Sequence, residues 1–135
     1  MINIVITGTK SKKLKTDLTE ACMFYMKCLG FRKRKRVLEI FINIGHFDNY
    51  GLCEFNQDYY WPEVIIHINR DYGRDEMLKT LAHEMVHAKQ YLRKELKQIG
   101  EHLYWMGKKS DSEEWEVEAY FREEKLYGDY INGNN

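Results

Sequence analysis

The sequence contains little proline and no long uncharged apolar run. Pro62 is the only proline among the 135 residues, and no linker, internal repeat or low-complexity block interrupts the chain. The apolar residues of the N-terminal segment 1–7 follow no basic start and form no long apolar core. This pattern predicts a buried β-strand there, rather than a signal peptide or a membrane anchor.

Charge of one sign is not in excess either. Lys and Arg total 21, Asp and Glu total 21, and the formal net charge is +0 at pH 7. No global field therefore draws the chain toward nucleic acid or anionic membranes. We expect no membrane contact, and a contact with nucleic acid would depend on the local basic runs Arg32–Arg36 or Lys10–Lys15.

Cysteine is sparse and shows no paired spacing. Cys22, Cys28 and Cys53 form no CxxC motif and are odd in number, which is typical of reduced thiols. We therefore expect a cytoplasmic protein. The content of 44% hydrophobic and 14% aromatic residues is sufficient for one core, so residues 1–135 are predicted to form a single globular domain.

Hydrophobic periodicity predicts an α+β fold with a small sheet and three main helices. Alternation around Leu38, Ile40, Ile42 and Ile44 predicts a strand with one buried face. Ser112 is the expected N-cap of the last helix. The predicted elements in chain order are a strand at 1–7, a helix at 14–29, strands at 34–44, 52–55 and 63–69, and helices at 74–96 and 112–128.

The segment His83-Glu84-Met85-Val86-His87 lies within the longest helical pattern. Positions i and i+4 share one face of a helix, so His83 and His87 can bind one metal ion through their imidazole nitrogens. Glu84 can then act as general base toward a water molecule that the metal activates. The motif predicts a divalent metal, zinc above all, although the donor set also suits iron, cobalt or manganese.

A catalytic zinc ion requires a third protein ligand, and three residues are candidates. Glu116 and Glu118 lie two positions apart, so at most one of them can face the metal from a helix. Periodicity favours Glu116, because the small Ala119 one turn later would let the two helices approach closely. His102, fifteen residues after His87, is the third candidate.

The HExxH segment and its surroundings resemble the gluzincin side of the HExxH metallopeptidases, in particular the small SprT-like metallopeptidases of phage and bacterial genomes. The similar sequence segments are residues 77–91, 105–108 and 115–120, which lie in roughly the C-terminal half of the chain. Trp115-Glu116-Val117-Glu118-Ala119 resembles the E-x-x-A element that carries the third ligand in related families. Carried over, that ligand is Glu116, and a bacterial or phage-infected cytoplasm is implied.

The resemblance also implies a fold and a substrate. It implies a small zincin-like domain, with a short, mainly antiparallel sheet packed against the HExxH helix and two further helices. It implies a zinc peptidase acting on a protein or peptide, with a strand at the edge of the cleft that holds the substrate extended. Val64–Asn69 is the candidate strand.

Other residues are weaker candidates. His67 precedes the motif in an apolar strand, where a structural role is more common than a functional one. Tyr91, Tyr104 and Tyr120 are candidate donors to a developing oxyanion. The basic runs favour an alternative function, a catalytically silent metal-binding or nucleic-acid-associated regulatory module.

Overall fold

The computed structural model describes residues 2–31, 37–57 and 61–133, which form three helices and two sheets. The α+β class predicted from the sequence is therefore confirmed. The elements in chain order are β1 (Ile2–Thr7), α1 (Lys12–Cys28), β2 (Leu38–Gly45), β3 (Gly51–Asn56), β4 (Glu63–Asn69), α2 (Arg74–Leu92), β5 (Leu96–Ile99), β6 (His102–Trp105), β7 (Lys108–Lys109) and α3 (Glu114–Ile131).

The larger sheet has the strand order β1-β2-β4-β3. β2 pairs with both β1 and β4 in parallel, and only β3 runs antiparallel to its neighbour β4. The expectation of a mainly antiparallel sheet against the HExxH helix is therefore wrong. The reason is the connection between β1 and β2, because α1 carries the chain back to the end of the sheet where β1 began.

One face of this sheet is apolar and buried. Leu38, Ile40, Ile42 and Ile44 are buried along β2, and the register places the last three directly beside Val64, Ile66 and Ile68 of β4. The alternation predicted for β2 is thus confirmed over the described residues, while its predicted start at 34–36 lies outside them. The buried rows face the helices, and α2 contacts β3 and β4.

α1 and α3 begin at residues other than those predicted, and α3 also ends later than predicted. α1 begins at Lys12 because the side chain of Ser11 accepts a hydrogen bond from the backbone N–H of Leu14, at 3.1 Å. α3 begins after Glu113, whose φ of 54° lies in the left-handed region, and it continues to Ile131. Ser112, the expected cap, instead donates a hydrogen bond to the side chain of Glu114.

The helix that carries the HExxH segment ends at Leu92, not at 96. Lys94 has a φ of 60°, which breaks the helix, and the chain turns into a small antiparallel sheet of order β5-β6-β7 that the sequence did not predict. Leu96 remains buried as the first residue of β5, which explains why it continued the apolar pattern. Gly100 and Gly107, with positive φ, occupy the two turns.

α2 is the central element, since α1, α3 and both sheets contact it. The hydroxyl of Tyr25 in α1 donates a hydrogen bond to the carbonyl of Leu78, at 3.0 Å. Ala119 of α3 is fully buried, so its small side chain lies within the packed helices, as expected from its position after Glu116. Across the described ranges, no helix is both long and apolar enough to cross a membrane.

Candidate metal centre

α2 presents two histidines on one face. His83 and His87 are one helical turn apart, and their ring centroids lie 5.0 Å from each other. Both residues are almost entirely buried, at 9% and 8% exposure. Apolar neighbours in α2 such as Leu81 and Met85 are fully buried in the core and fix the orientation of this face. The spacing in the sequence therefore produces a converging pair of imidazoles.

The first turn of α3 supplies a carboxylate to the same point. Oε1 of Glu116 lies 3.1 Å from Nε2 of His83 and 2.5 Å from Nε2 of His87. The three residues each offer one ligand atom within 4.8 Å of the others. Of the three candidates for a third ligand, the structure brings Glu116 to the two histidines.

Each imidazole is held from behind by another side chain. Nδ1 of His83 lies 3.1 Å from Oε1 of Glu123, and Nδ1 of His87 lies 2.8 Å from Oε1 of Gln90. Because both partners accept through oxygen, Nδ1 carries the proton and donates in each ring. Nε2 of each ring faces the Glu116 carboxylate, which accepts a hydrogen bond in the metal-free protein, so Nε2 is the nitrogen left to offer a lone pair when a metal ion displaces the proton there.

These two supporting residues were not found from the sequence. Gln90 lies three positions after His87, and Glu123 lies seven positions after Glu116, so each shares a helix face with a residue of the centre. Those spacings could have indicated both supporting residues in the sequence. They did not stand out because Gln and Glu are common on solvated helix faces, where the same spacings occur without any contact to a metal ligand.

The donor set fits a zinc ion. Two imidazoles and a carboxylate form a common ligand set for catalytic zinc, with the fourth position left for water. Ligand atoms around tetrahedral zinc are about 3.3 Å apart, so the separations of 3.1 Å and 2.5 Å are close to those required. Glu116 would have to withdraw from His87 by about 0.8 Å. The group of His83, His87 and Glu116 can therefore hold a metal ion.

The charges within the group favour a cation. The pKa of Glu116 is lowered far below its usual range by hydrogen bonds from His83 and His87, which outweigh its partial burial. Burial opposes the charged form of His83, but hydrogen bonds and charge from Glu116, Glu84 and Glu123 outweigh it and raise the pKa of His83. A proton on the imidazole thus occupies the place that a metal ion would take.

Glu84 lies next to this group but does not belong to it. Its side chain is buried, with 6% of the residue exposed, and burial raises the pKa of its carboxyl to about 7. A carboxyl with a pKa near neutrality can both accept and release a proton at physiological pH. Its Oε2 lies close to Gly51, the first residue of β3, where a Cβ would come within 3.2 Å.

The metal-binding group opens into a cleft of about 610 Å³. One wall is formed by residues 49–53 at the start of β3, and the other by α3 through Glu116, Tyr120 and Glu123. β3 is an edge strand of its sheet, whereas β4 lies between β2 and β3. The expectation that Val64–Asn69 borders the cleft is therefore wrong, and the strand in that position is Gly51–Asn56.

The remaining candidates from the sequence lie elsewhere. His102 is exposed on β6, outside the metal-binding group, and pairs with Ile99 in the hairpin. His67 points to the sheet face opposite the helices, since its strand neighbours Ile66 and Ile68 are the buried ones, and its Nε2 lies 3.8 Å from Glu54. Glu118 contacts Lys89 and Gln90, not the two histidines.

Two of the three candidate tyrosines lie at the cleft. Tyr91 and Tyr120 line the cleft, and Tyr104 is not among its lining residues. The ring of Tyr120 lies edge-on to His83, with centroids 4.6 Å apart, and is 64% exposed. Tyr91 stacks on Phe55, and burial raises its pKa to about 12. Both hydroxyls therefore stay protonated at neutral pH and can donate hydrogen bonds.

The basic runs do not adjoin the cleft as far as the structure describes them. The lysines of Lys10–Lys15 are exposed at the start of α1, and none of them lines the cleft. The run Arg32–Arg36 lies outside the described residues.

Comparison of the chain with protein-family models, with curated proteins and with solved structures found no match. Two imidazoles of α2 and one carboxylate of α3 converge in an open cleft, beside a buried carboxyl that can exchange a proton, and this group can hold a metal ion.

Proposed function

We propose that the protein is a zinc-dependent metallopeptidase that hydrolyses peptide bonds in the cleft beside β3. The observation that carries this proposal is the meeting of His83, His87 and Glu116 next to Glu84. His83 and His87 would hold zinc through Nε2 and Glu116 would hold it through a carboxylate oxygen. When bound, the ion would supply a Lewis acid for the scissile carbonyl and for a water molecule.

Glu84 moves the protons of the reaction. Its carboxylate accepts a proton as water attacks the carbonyl carbon, and its carboxyl returns that proton to the leaving amine. Burial raises the pKa of this carboxyl in the metal-free protein, and a cation bound beside it would lower that pKa and favour the carboxylate that accepts the proton. Its position against β3 keeps it at the wall of the cleft, where substrate would lie.

Two further elements support a polypeptide substrate. Among the described residues β3 is an edge strand of its sheet beside the cleft, and an extended peptide can bind such an edge as an additional strand. Tyr120 and Tyr91 present hydroxyl donors near the reacting carbonyl and are candidates to stabilise its developing negative charge. These features favour hydrolysis of a peptide over storage of a metal ion.

The proposal is tested by metal analysis and by peptide-library cleavage, with protein purified without a metal-affinity tag. We expect about one zinc ion per chain and metal-dependent cleavage. Glu84→Gln should abolish cleavage while it retains the zinc. Glu20→Gln, on the exposed surface of α1, is the matched control and should cleave like the parent.

Three outcomes would contradict the proposal. Equal cleavage by Glu84→Gln and by the parent would remove Glu84 from the mechanism. Bound zinc with no cleavage of any library peptide would favour the silent metal-binding module. A protein that takes up no transition metal at neutral pH would have neither function.

The third ligand is tested separately with two substitutions. Glu116→Gln should weaken zinc binding at least tenfold, because a neutral amide oxygen is a poorer ligand than a carboxylate. His102→Gln should leave zinc affinity unchanged, since His102 lies on the exposed hairpin. The reverse result, measured by competition with a chromogenic chelator, would reassign the third ligand.

A further inference from the structure

A buried amide connects the two helices of the metal centre. Gln90 of α2 has no exposed surface, and it contacts both His87 on its own helix and the first turn of α3. A buried amide requires partners for its oxygen and for its two N–H groups, because an unpaired buried polar group destabilises the fold. The partners of Gln90 therefore determine which way its amide points.

The amide group can point in only one direction. Nε2 of Gln90 lies 3.0 Å from the carbonyl oxygen of Trp115 and 2.8 Å from Oε1 of Glu118. Both of these atoms only accept hydrogen bonds, so the amide nitrogen must face them. The amide oxygen is consequently directed at Nδ1 of His87, 2.8 Å away, and accepts a hydrogen bond from its N–H.

Glu118 is itself held in place by a buried cation. Nζ of Lys89, whose residue is only 4% exposed, lies 2.8 Å from Oε2 of Glu118 and 2.9 Å from Oε1 of Glu95. One carboxylate oxygen of Glu118 thus binds Lys89 and the other binds Gln90. This pairing explains why a glutamate that was a candidate ligand is turned away from the metal-binding group.

The same amide also fixes the segment that carries the third ligand. The carbonyl of Trp115 belongs to the peptide bond that leads into Glu116, so Gln90 holds the backbone next to that residue. His87 and Glu116, which come from different helices, are therefore both positioned by one side chain. His83 has a different partner, the carboxylate of Glu123, so the two imidazoles are supported independently.

We propose that Gln90, oriented by Glu118 and Lys89, is a positioning residue that fixes the tautomer of His87 and the placement of Glu116, and so determines the affinity of the metal centre. This inference rests on the metal binding of the proposed function. In the tautomer that Gln90 imposes, Nε2 of His87 carries the lone pair. Without that hydrogen bond the ring can rotate or place its proton on Nε2, and either change removes a ligand.

The test measures Zn²⁺ affinity by chelator competition and the visible absorption of the Co²⁺-loaded protein, which reports ligand geometry. Gln90→Leu keeps the approximate size of the side chain but removes its hydrogen bonds. We expect Zn²⁺ affinity to fall 10- to 100-fold, as for other residues that orient metal ligands, and the Co²⁺ spectrum to change. Ile66→Val removes one methyl group from the buried core at β4. It is the control for lost stability and should leave both readouts unchanged.

Glu118→Gln is the second variant, for the case in which Gln90→Leu does not fold. An amide at 118 loses the ion pair with Lys89 and leaves the carbonyl of Trp115 as the remaining acceptor that orients Gln90, so Zn²⁺ affinity should fall severalfold and the Co²⁺ spectrum should broaden. Parent-like affinity and spectrum in Glu118→Gln and in any folded Gln90→Leu would overturn the inference and leave the proposed function standing. An equal loss in Ile66→Val would also overturn it. A parent that binds neither ion would overturn both proposals.

Discussion

Gly51 and Glu84 are in such close contact that a single methyl group on the glycine would meet the carboxylate. A Cβ at position 51 would lie 3.2 Å from Oε2 of Glu84, 2.8 Å from the carbonyl oxygen of His67 and 2.6 Å from Cγ2 of Thr80. The carbonyl belongs to the paired strand β4, so it cannot move aside easily. The start of β3 can therefore approach α2 this closely only because residue 51 has no side chain.

Gly51→Ala should reduce activity more than metal binding. The added methyl group pushes β3 away from α2 and displaces the carboxylate of Glu84, while none of the three atoms nearest to that methyl group belongs to His83, His87 or Glu116. We expect kcat to fall at least tenfold, zinc affinity to change less than threefold, and stability to fall by about 1–3 kcal/mol. Steady-state kinetics, chelator competition and urea unfolding measure the three quantities.

Gly128→Ala is the matched control for this substitution. A Cβ at position 128 of α3 meets nothing within 4 Å, and alanine is the better helix former. It should raise the free energy of unfolding by about 0.5–1 kcal/mol and leave activity unchanged. Full activity in Gly51→Ala would show that the position of Glu84 does not depend on this contact.

Zinc should stabilise the folded chain against heat. A ligand that binds only the native state adds about 2.7 kcal/mol when its free concentration is one hundred times Kd. We therefore expect Tm to rise by several degrees with zinc and to return to the metal-free value with excess chelator, in thermal scans followed by circular dichroism. The double variant His83→Gln/His87→Gln should show no shift. A zinc-dependent rise in that variant would place the stabilising ion elsewhere.

The stabilisation by zinc should depend on pH. Because the pKa of His83 is raised in the folded metal-free protein, its protonated form stabilises that state. This contribution is complete below the unfolded pKa of about 6.5 and is lost as the pH rises through the raised folded value. Zinc must displace the same proton, so its apparent affinity should rise with pH across this window, by up to about tenfold per pH unit.

Calorimetric titration in buffers of different ionisation enthalpy measures this proton release directly. The zinc-induced rise in Tm should be small at pH 6 and should approach its full value at pH 8. A rise that is the same at both pH values would mean that no imidazole of this group loses a proton when zinc binds.

The ligand pair was predictable from the sequence because its geometry is local. Any regular helix places residues four positions apart on one face, so His83 and His87 required no knowledge of the rest of the chain. The choice of Glu116 needed one further step, the expectation that buried Ala119 faces α2. The supporting contacts of Gln90 and Glu123 depend on how two helices pack, and no periodicity within one helix determines that.

The strand directions were not predictable for a similar reason. The four strands of the larger sheet were predicted from the sequence, but parallel pairing of β2 with both neighbours follows from the path of α1 and of the loops. The strand at the cleft was misassigned because β4 has the stronger hydrophobic pattern. Such a pattern is typical of an interior strand that pairs along both edges, as β4 does, rather than of an edge strand. The small sheet after α2 was missed because Leu96 continued the helical apolar stripe.

Ala119 sets the distance between the helix of the histidines and the helix of Glu116. Ala119→Leu should therefore lower the free energy of unfolding by about 1–3 kcal/mol through overpacking and weaken zinc binding, because α3 must move outward with Glu116. Val117→Leu, at a position that is 67% exposed on the same turn, should change stability by less than about 0.5 kcal/mol and leave zinc affinity intact. Urea unfolding and chelator competition separate the two effects, and a destabilised Ala119→Leu protein with parent-like zinc affinity would show that Glu116 can follow the metal independently of the helix spacing.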